Sequence, residues 1–185
     1  MYVLGRMKTL LFISLCSILS GLPLTGNWTA DAGKAKITFT VDGPFGDVHG
    51  SFSGLTSEFQ FDEKDLAKSS ISASIDAGTV SSGVGLRNTH LRNEEQWLNI
   101  AKYPRIHFKS TKIEKTAAGF SASGTLTLKN ISKPIVIPFT FSSSAGSGIF
   151  KGQFSIKRED YNLGKKGGSV GETIQINIEV PVKSS

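Results

Sequence analysis

Cysteine is almost absent from this chain of 185 residues, since Cys16 is the only one. It lies in an N-terminal segment with the features of a leader, so the rest of the chain has no thiol for a disulfide, a metal or nucleophilic catalysis. The three histidines, His49, His90 and His107, show no metal-ligand spacing. The chain also lacks a G-x-S-x-G elbow, a phosphate-binding loop and a dinucleotide fingerprint. We therefore expect no catalytic site, no metal and no cofactor.

The excess of positive charge is small. The formal net charge is +6, and it falls to +4 without the first 26 residues, which carry Arg6 and Lys8 and no acid. Such a charge favours solubility and does not indicate a nucleic-acid partner. The hydrophobic content of 38% excludes a disordered chain, and the absence of heptads and of a Gly-X-Y period excludes coiled coil and collagen.

The first 26 residues have the pattern of a secretory signal peptide. Arg6 and Lys8 precede an apolar run over residues 10–19, and small or turn-forming residues follow. This apolar run is too short for a transmembrane helix, which needs about 20 consecutive apolar residues. The bulky Leu15 before Cys16 argues against lipidation. The sequence predicts a signal peptide over residues 1–26, a mature domain over 27–185, and a periplasmic or secreted protein of a bacterium.

Alternation of apolar and polar residues dominates the rest of the chain, and this period of two is typical of strands with one buried face. In the second segment the apolar parity switches at Gly54, where we expect a bulge or sharp bend. Twenty glycines supply turn signals between segments. Eight strand-like segments are predicted, at residues 36–41, 47–62, 70–76, 106–108, 120–128, 135–141, 150–158 and 174–182.

One stretch, residues 86–100, has helical spacing instead, with Asn88 or Thr89 as its N-cap and Pro104 beyond its end. The predicted fold is therefore all-β, an eight-stranded antiparallel barrel with a short helical insertion over one rim. A barrel of this size is filled by its own side chains or holds one small ligand. The alternation leaves both readings open.

Arg158 shares the parity of inward-facing apolar residues on the seventh predicted strand. A buried guanidinium needs a carboxylate, a carbonyl or an anionic ligand as its partner. Glu172 and Asp160 are nearby in the sequence. We expect an internal salt bridge with one of them, and the alternative is an anchor for an anionic lipid head.

Several motifs together resemble the YceI-like family. These are RNTHLR at 87–92, Trp97, KYPRIHFKST at 102–111, GTLTL at 124–128, FSIKREDYNLG at 154–164, and VGE at 170–172 before the alternating last strand. The resemblance covers nearly the whole predicted mature chain. It implies a lipocalin-like barrel, usually exported, that binds a polyisoprenoid or another long apolar chain.

We expect a lipid-binding or carrier protein, which is not an enzyme and whose partner is an isoprenoid or a fatty-acid-like lipid, with a homodimer as a further expectation. The alternatives are an interaction or stress-response protein with a packed core, and an enzyme with His90 as base. The lid residues are expected in the helical segment, and the others on the inner face. The predicted ligand-binding residues are Phe39, Phe52, Phe59, Ile71, Ile75, Leu91, Trp97, Leu98, Phe108, Leu126, Phe139, Phe141, Phe154, Ile156, Arg158 and Ile176.

Overall fold

The computed structural model describes residues 26–185. All of the predicted signal peptide except Gly26 lies outside this range, so the leader and its cleavage stay predictions. Within the described range, no helix has the length and apolar character needed to cross a membrane.

The described chain is almost entirely β-structure, with one α-helix and three short 3₁₀ turns. The strands are β1 (Asn27–Ala30), β2 (Lys36–Val41), β3 (Val48–Phe52), β4 (Leu55–Gln60), β5 (Ser70–Asp76), β6 (Arg105–Thr116), β7 (Gly119–Leu128), β8 (Ile131–Ser144), β9 (Ser147–Lys157) and β10 (Thr173–Ser184). All eight predicted segments correspond to strands. The short β1 was not predicted.

The strands close into a ring in which every pairing is antiparallel. Consecutive strands pair from β4 to β10, and β10 then pairs with both β2 and β1. Because β1 and β2 pair with different halves of β10, they act as one interrupted strand. β3 and β4 form a second one, with β3 paired to β2 and β4 paired to β1. The prediction of an eight-stranded antiparallel barrel is confirmed.

The interruption between β3 and β4 falls at Gly54, as the switch in parity predicts. This residue has a φ of +68°, in the left-handed region that glycine enters without steric cost. The bend allows Phe52 before it and Leu55 after it to face the interior, although they differ in parity. The apolar face therefore stays continuous along an interrupted strand.

The register places the connections at two opposite ends of the barrel. One end, which we call the mouth, carries residues 42–47 between β2 and β3, residues 77–104 between β5 and β6, Lys129–Asn130, and residues 158–172 between β9 and β10. The other end, the floor, carries the turns at 61–69, 117–118 and 145–146. The only α-helix of the described chain lies in the mouth.

The floor is closed by aromatic side chains. The ring of Phe61 makes edge contacts with four other phenylalanines at centroid distances of 5.0–5.6 Å, and Trp28 packs on one of them, Phe141, at 4.9 Å. The Trp28 indole N–H donates to the Phe61 carbonyl at 3.0 Å. Edge-on rings at these distances attract each other beyond simple area burial. We call this cluster the aromatic floor: Trp28, Phe61, Phe120, Phe139, Phe141 and Phe150.

The helix α1 (Gly85–Asn93) is shorter than predicted and begins differently. Val84 occupies its N-cap position, and no side chain caps it. Both predicted caps, Asn88 and Thr89, are wrong because they lie inside the helix. The Asn88 side-chain oxygen accepts hydrogen bonds from the Ser82 backbone N–H and hydroxyl, both at 2.7 Å, and the Thr89 hydroxyl donates to the Gly85 carbonyl at 3.1 Å. Residues 94–100 form turns rather than helix.

Strands β8 and β9 separate towards the mouth. They pair only from Phe139–Gly152 to the floor turn, although β8 continues to pair with β7 and β9 with β10. Pro138, the next residue along β8, has no amide hydrogen to donate to a ladder. The 3₁₀ turn Arg158–Tyr161 contacts both separating strands. The wall is thus completed near the mouth by a turn rather than by sheet.

Candidate ligand cavity and its mouth

An apolar cavity of about 230 Å³ lies inside the barrel, between the aromatic floor and the mouth. Its walls come from the inward residues of β2 to β10, and residues of the mouth segments complete them. Phe59, Phe139 and Phe150 line its lower part, and Trp97, Leu98 and Leu163 belong to the mouth segments. A site that selects one small molecule usually combines apolar walls with a few polar groups that converge on the ligand. This one offers aliphatic and aromatic surface instead.

The predicted inner residues lie where the alternation places them, with one exception. Phe141 does not line the cavity, because it sits one inward position below Phe139, where its ring packs against Trp28, Phe61 and Phe150 in the aromatic floor. The side chains that line the cavity as predicted are Phe39, Phe52, Phe59, Ile71, Ile75, Leu91, Trp97, Leu98, Phe108, Leu126, Phe139, Phe154, Ile156, Arg158 and Ile176. Whether they bind a ligand stays a prediction.

The segment after α1 folds back as a lid over the cavity. The Leu98 N–H donates to the Leu91 carbonyl at 3.0 Å, which brings both leucines to the cavity wall. The Gly164 N–H donates to the Gln96 carbonyl at 2.6 Å. We call residues 94–100 the lid segment. It is tied to the long loop between β9 and β10, so the two parts of the mouth are one hydrogen-bonded unit.

Arg158 lies at the base of that loop and is 1% exposed. The expected salt bridge with Glu172 or Asp160 is wrong. The guanidinium donates to four carbonyl oxygens at 2.8–2.9 Å: Gly171 from Nε, Leu163 and Lys165 from Nη1, and Val170 from Nη2. Charge-assisted hydrogen bonds of this kind compensate the desolvation of a buried cation. Arg158 therefore shapes residues 163–171 around itself, and four of its five N–H donors bond to backbone carbonyls of the protein.

Lys129 is a second buried cation of the mouth, and sequence reasoning missed it. Its ammonium donates to the Glu95 carbonyl at 2.6 Å and the Asn162 carbonyl at 2.9 Å, and burial lowers the pKa of this lysine. The turn between β7 and β8 is thereby joined to both the lid segment and the loop after β9. A lysine in a tight turn is usually solvated, so its sequence position carried no signal.

The residue proposed as a catalytic base, His90, lies outside the cavity. Its ring is half exposed on α1, and its Nδ1 lies 3.9 Å from the Glu94 carboxylate. It does not line the cavity wall. Among residues 26–185, no three His, Cys, Asp or Glu side chains come close enough to hold a metal ion.

Comparison with known proteins identifies the family of this barrel. The family model of the YceI-like domain matches residues 28–182, almost all of the described chain. The chain belongs to the YceI-like family. Curated relatives of this YceI-like chain include the UPF0312 protein YE1254 of Yersinia enterocolitica, 29% identical over 139 residues, and a UPF0312 protein of Yersinia pestis, 28% identical over 139 residues. Each match covers 72% of both chains.

Solved structures agree on the fold of this YceI-like protein. Burkholderia cenocepacia BcnA superposes with a TM-score of 0.77 and 23% identity, over 83% of this chain and 99% of that one. The Campylobacter jejuni YCEI protein gives 0.67 and 25%, over 75% and 85%. A polyisoprenoid binding domain from Saccharophagus degradans gives 0.67 and 16%, over 85% and 98%. This YceI-like chain therefore shares its barrel fold with these neighbours.

Proposed function

We propose that this protein is an exported carrier that holds a polyisoprenoid or another long-chain lipid inside its barrel. The observation that carries the proposal is the apolar cavity between the aromatic floor and the hydrogen-bonded mouth. A flexible hydrocarbon chain gains about 0.8 kcal/mol for each methylene moved from water into such surroundings. The Saccharophagus neighbour, described as polyisoprenoid binding, supports the same class of cargo.

The proposal is one of binding rather than catalysis. The wall offers aliphatic and aromatic groups, and four of the five N–H donors of its buried cation, Arg158, already bond to backbone carbonyls. A lipid would then be selected by the length and flexibility of its apolar part more than by its head group. This differs from the ligand-anchoring role considered for Arg158 from the sequence.

Native mass spectrometry of protein recovered from the cell envelope tests the proposal directly. The expected result is a co-purified mass equal to one long-chain lipid, on a chain whose N terminus lies between Gly21 and Asp31. Recovery of the chain from the cytoplasm with residues 1–20 intact would contradict export. Sedimentation velocity on the same sample checks the predicted homodimer.

A paired substitution tests whether the cavity holds the lipid. Ala73 lines the cavity on β5, and the adjacent Ser72 faces the outside of the same strand, opposite Glu58 and Lys109. Ala73→Phe should fill the space and lower the affinity for a fluorescent acyl or isoprenoid probe at least tenfold, because the added ring takes the place of the ligand chain. Ser72→Phe adds the same ring outside and should leave probe binding unchanged.

The melting temperature separates a cavity from a packed core. If the interior is already full, Ala73→Phe overpacks it and costs about 1–3 kcal/mol of unfolding free energy. If the space is free, the added ring gains apolar contacts and the variant melts no lower than wild type. A strongly destabilised variant, together with unchanged lipid content, would favour the interaction protein with a packed core.

A further inference from the structure

The turn between β2 and β3 presents a phenylalanine to solvent. Phe45 is fully exposed (102%) at the tip of the mouth, whereas most other phenylalanines of the described chain are buried or packed against the core. The turn is closed by reciprocal backbone hydrogen bonds between Gly43 and Gly46, at 3.1 and 3.3 Å. The ring therefore projects from an ordered turn. An exposed ring contributes nothing to the barrel's own packing.

Two further exposed apolar side chains occur at the beginning of α1. Val84 is 47% and Leu86 is 68% exposed. The antiparallel bridge between Ser81 and Ser51 directs the chain before them along β3 towards the turn that carries Phe45. Of the four large apolar residues of the described chain that are strongly exposed, three thus lie at the mouth, and the fourth, Val136, lies on the barrel wall.

The mouth as a whole is balanced in charge, with seven basic and seven acidic residues, but the part of it that carries the exposed apolar side chains is basic. We define the mouth rim as residues 42–47, 84–93 and 163–171; it contains Arg87, Arg92, Lys165 and Lys166 against two aspartates. Both lysines are exposed on the loop that Arg158 organises. The Lys166 ammonium lies 3.8 Å from the Glu159 carboxylate, a long ion pair, and its side chain is 89% exposed. The Gly171 N–H donates to the Asp42 carbonyl at 2.8 Å, which fixes this loop beside the turn of Phe45.

We propose that the mouth rim is a membrane-docking surface, on which Phe45, Val84 and Leu86 enter the interface of a bilayer and Lys165 and Lys166 contact anionic head groups. Exposed apolar side chains with basic residues on neighbouring segments are a combination that binds such interfaces. Docking in this orientation turns the mouth and its lid segment towards the bilayer. The inference rests on the proposed carrier function, because only a lipid carrier gains from it.

Vesicle flotation tests the proposal on the full chain, purified as the cell processes it, with the N terminus of every sample read by intact mass. The vesicles are phosphatidylethanolamine and phosphatidylglycerol at 3:1, compared with pure phosphatidylcholine. Wild type is expected to bind the anionic vesicles more tightly, and the preference should shrink in high salt because screening weakens head-group attraction. Equal, salt-independent binding to both compositions would overturn the electrostatic part of the proposal.

Three variants locate the surface. Phe45→Ser should weaken vesicle binding roughly tenfold, since a buried phenylalanine contributes at least that factor. Lys165→Ala with Lys166→Ala should weaken binding to anionic vesicles by about fivefold per charge and leave phosphatidylcholine unaffected. Val136→Ser is the matched control, because it removes a comparably exposed apolar side chain from the wall and should change nothing. Equal losses in Phe45→Ser and Val136→Ser would overturn the docking surface.

Two companion measurements separate this proposal from the carrier function and from self-association. Binding of a fluorescent acyl probe in vesicle-free solution should be the same for wild type and Phe45→Ser. If the probe binds to no protein, wild type included, while vesicle binding behaves as expected, the carrier function is refuted and the docking surface is not. If Phe45→Ser instead dissociates a dimer in sedimentation velocity and vesicle binding is absent, the rim is an interface between two copies and the docking proposal fails.

Discussion

The indole of Trp97 lies directly against Gly164, so closely that a methyl group on this glycine would come within 2.8 Å of the ring. Gly164 also has a φ of +71°, and its N–H donates to the carbonyl of Gln96. One residue without a side chain thus joins the lid segment to the loop after β9. The ring of Trp97 reaches the cavity wall from this contact.

Gly164→Ala should loosen the lid. The substitution places a side chain in the left-handed region, at a cost of about 1–2 kcal/mol, and pushes on the Trp97 ring. We expect a lower melting temperature and a Trp97 that is more accessible to acrylamide in fluorescence quenching. Gly167→Ala is the matched control, because that glycine has a similar φ of +67° and open space around it. Identical quenching in both variants would contradict the role of the Trp97 contact.

Arg158→Met should destabilise the protein with no lipid present. The change leaves the carbonyls of Leu163, Lys165, Val170 and Gly171 without their donor, and we expect a loss of roughly 3 kcal/mol of unfolding free energy. Amide exchange should accelerate across residues 163–171 first. Thermal melts and hydrogen exchange measure both effects.

Lys157→Met serves as the control for Arg158→Met, because it removes a cation from the adjacent, exposed position. It should leave stability within about 0.5 kcal/mol of wild type. Preserved stability in Arg158→Met, combined with weaker binding of anionic lipids, would instead assign the guanidinium to the ligand.

Tyr161→Phe should protect the protein at alkaline pH. The Tyr161 hydroxyl is buried without a hydrogen-bond partner, and burial, with the nearby Asp160 charge, raises the pKa of Tyr161 to about 12. A raised folded-state pKa means that the folded protein keeps a proton which the unfolded chain has lost. Wild type therefore loses stability as the pH rises from 10 to 12, by at most about 1.4 kcal/mol per unit from this group.

Phenylalanine at position 161 removes this linkage and an unpaired polar atom together. Below pH 9 the variant should be as stable as wild type or slightly more stable. Denaturant melts at several pH values would show the gap widening above pH 10. The two proteins differ in this one side chain, so a constant gap in stability from pH 8 to pH 12 would show that Tyr161 ionises normally in the fold.

The strands could be read from the sequence because each inward side chain repeats at every second position. The break at Gly54 was predicted as well, from the switch in the parity of the apolar residues. β1 could not be read in this way, since its four residues owe their pairing to β10 and β4. Phe141 follows the inward parity but belongs to the floor, because alternation gives a residue's face and not its height in the barrel.

The mouth was harder to predict because its contacts are between side chains and backbone. The parity of Arg158 correctly predicted a buried guanidinium. Its partners are loop carbonyls, which every residue type supplies, so the sequence offered only acids as candidates. Asn88 is a favourable helix cap by residue type, and only the fold shows that Ser82 engages it.

The closure of the ring has a kinetic consequence. β10 pairs with β1 and β2 across roughly 130 to 160 residues of chain. Contacts so distant in sequence form late, because the entropy of closing a long loop precedes any gain from pairing. Until the last strand arrives, both edges of the growing sheet carry unpaired amides and carbonyls, which other chains can join. The interval before β10 docks is thus the time at which this protein is most open to aggregation.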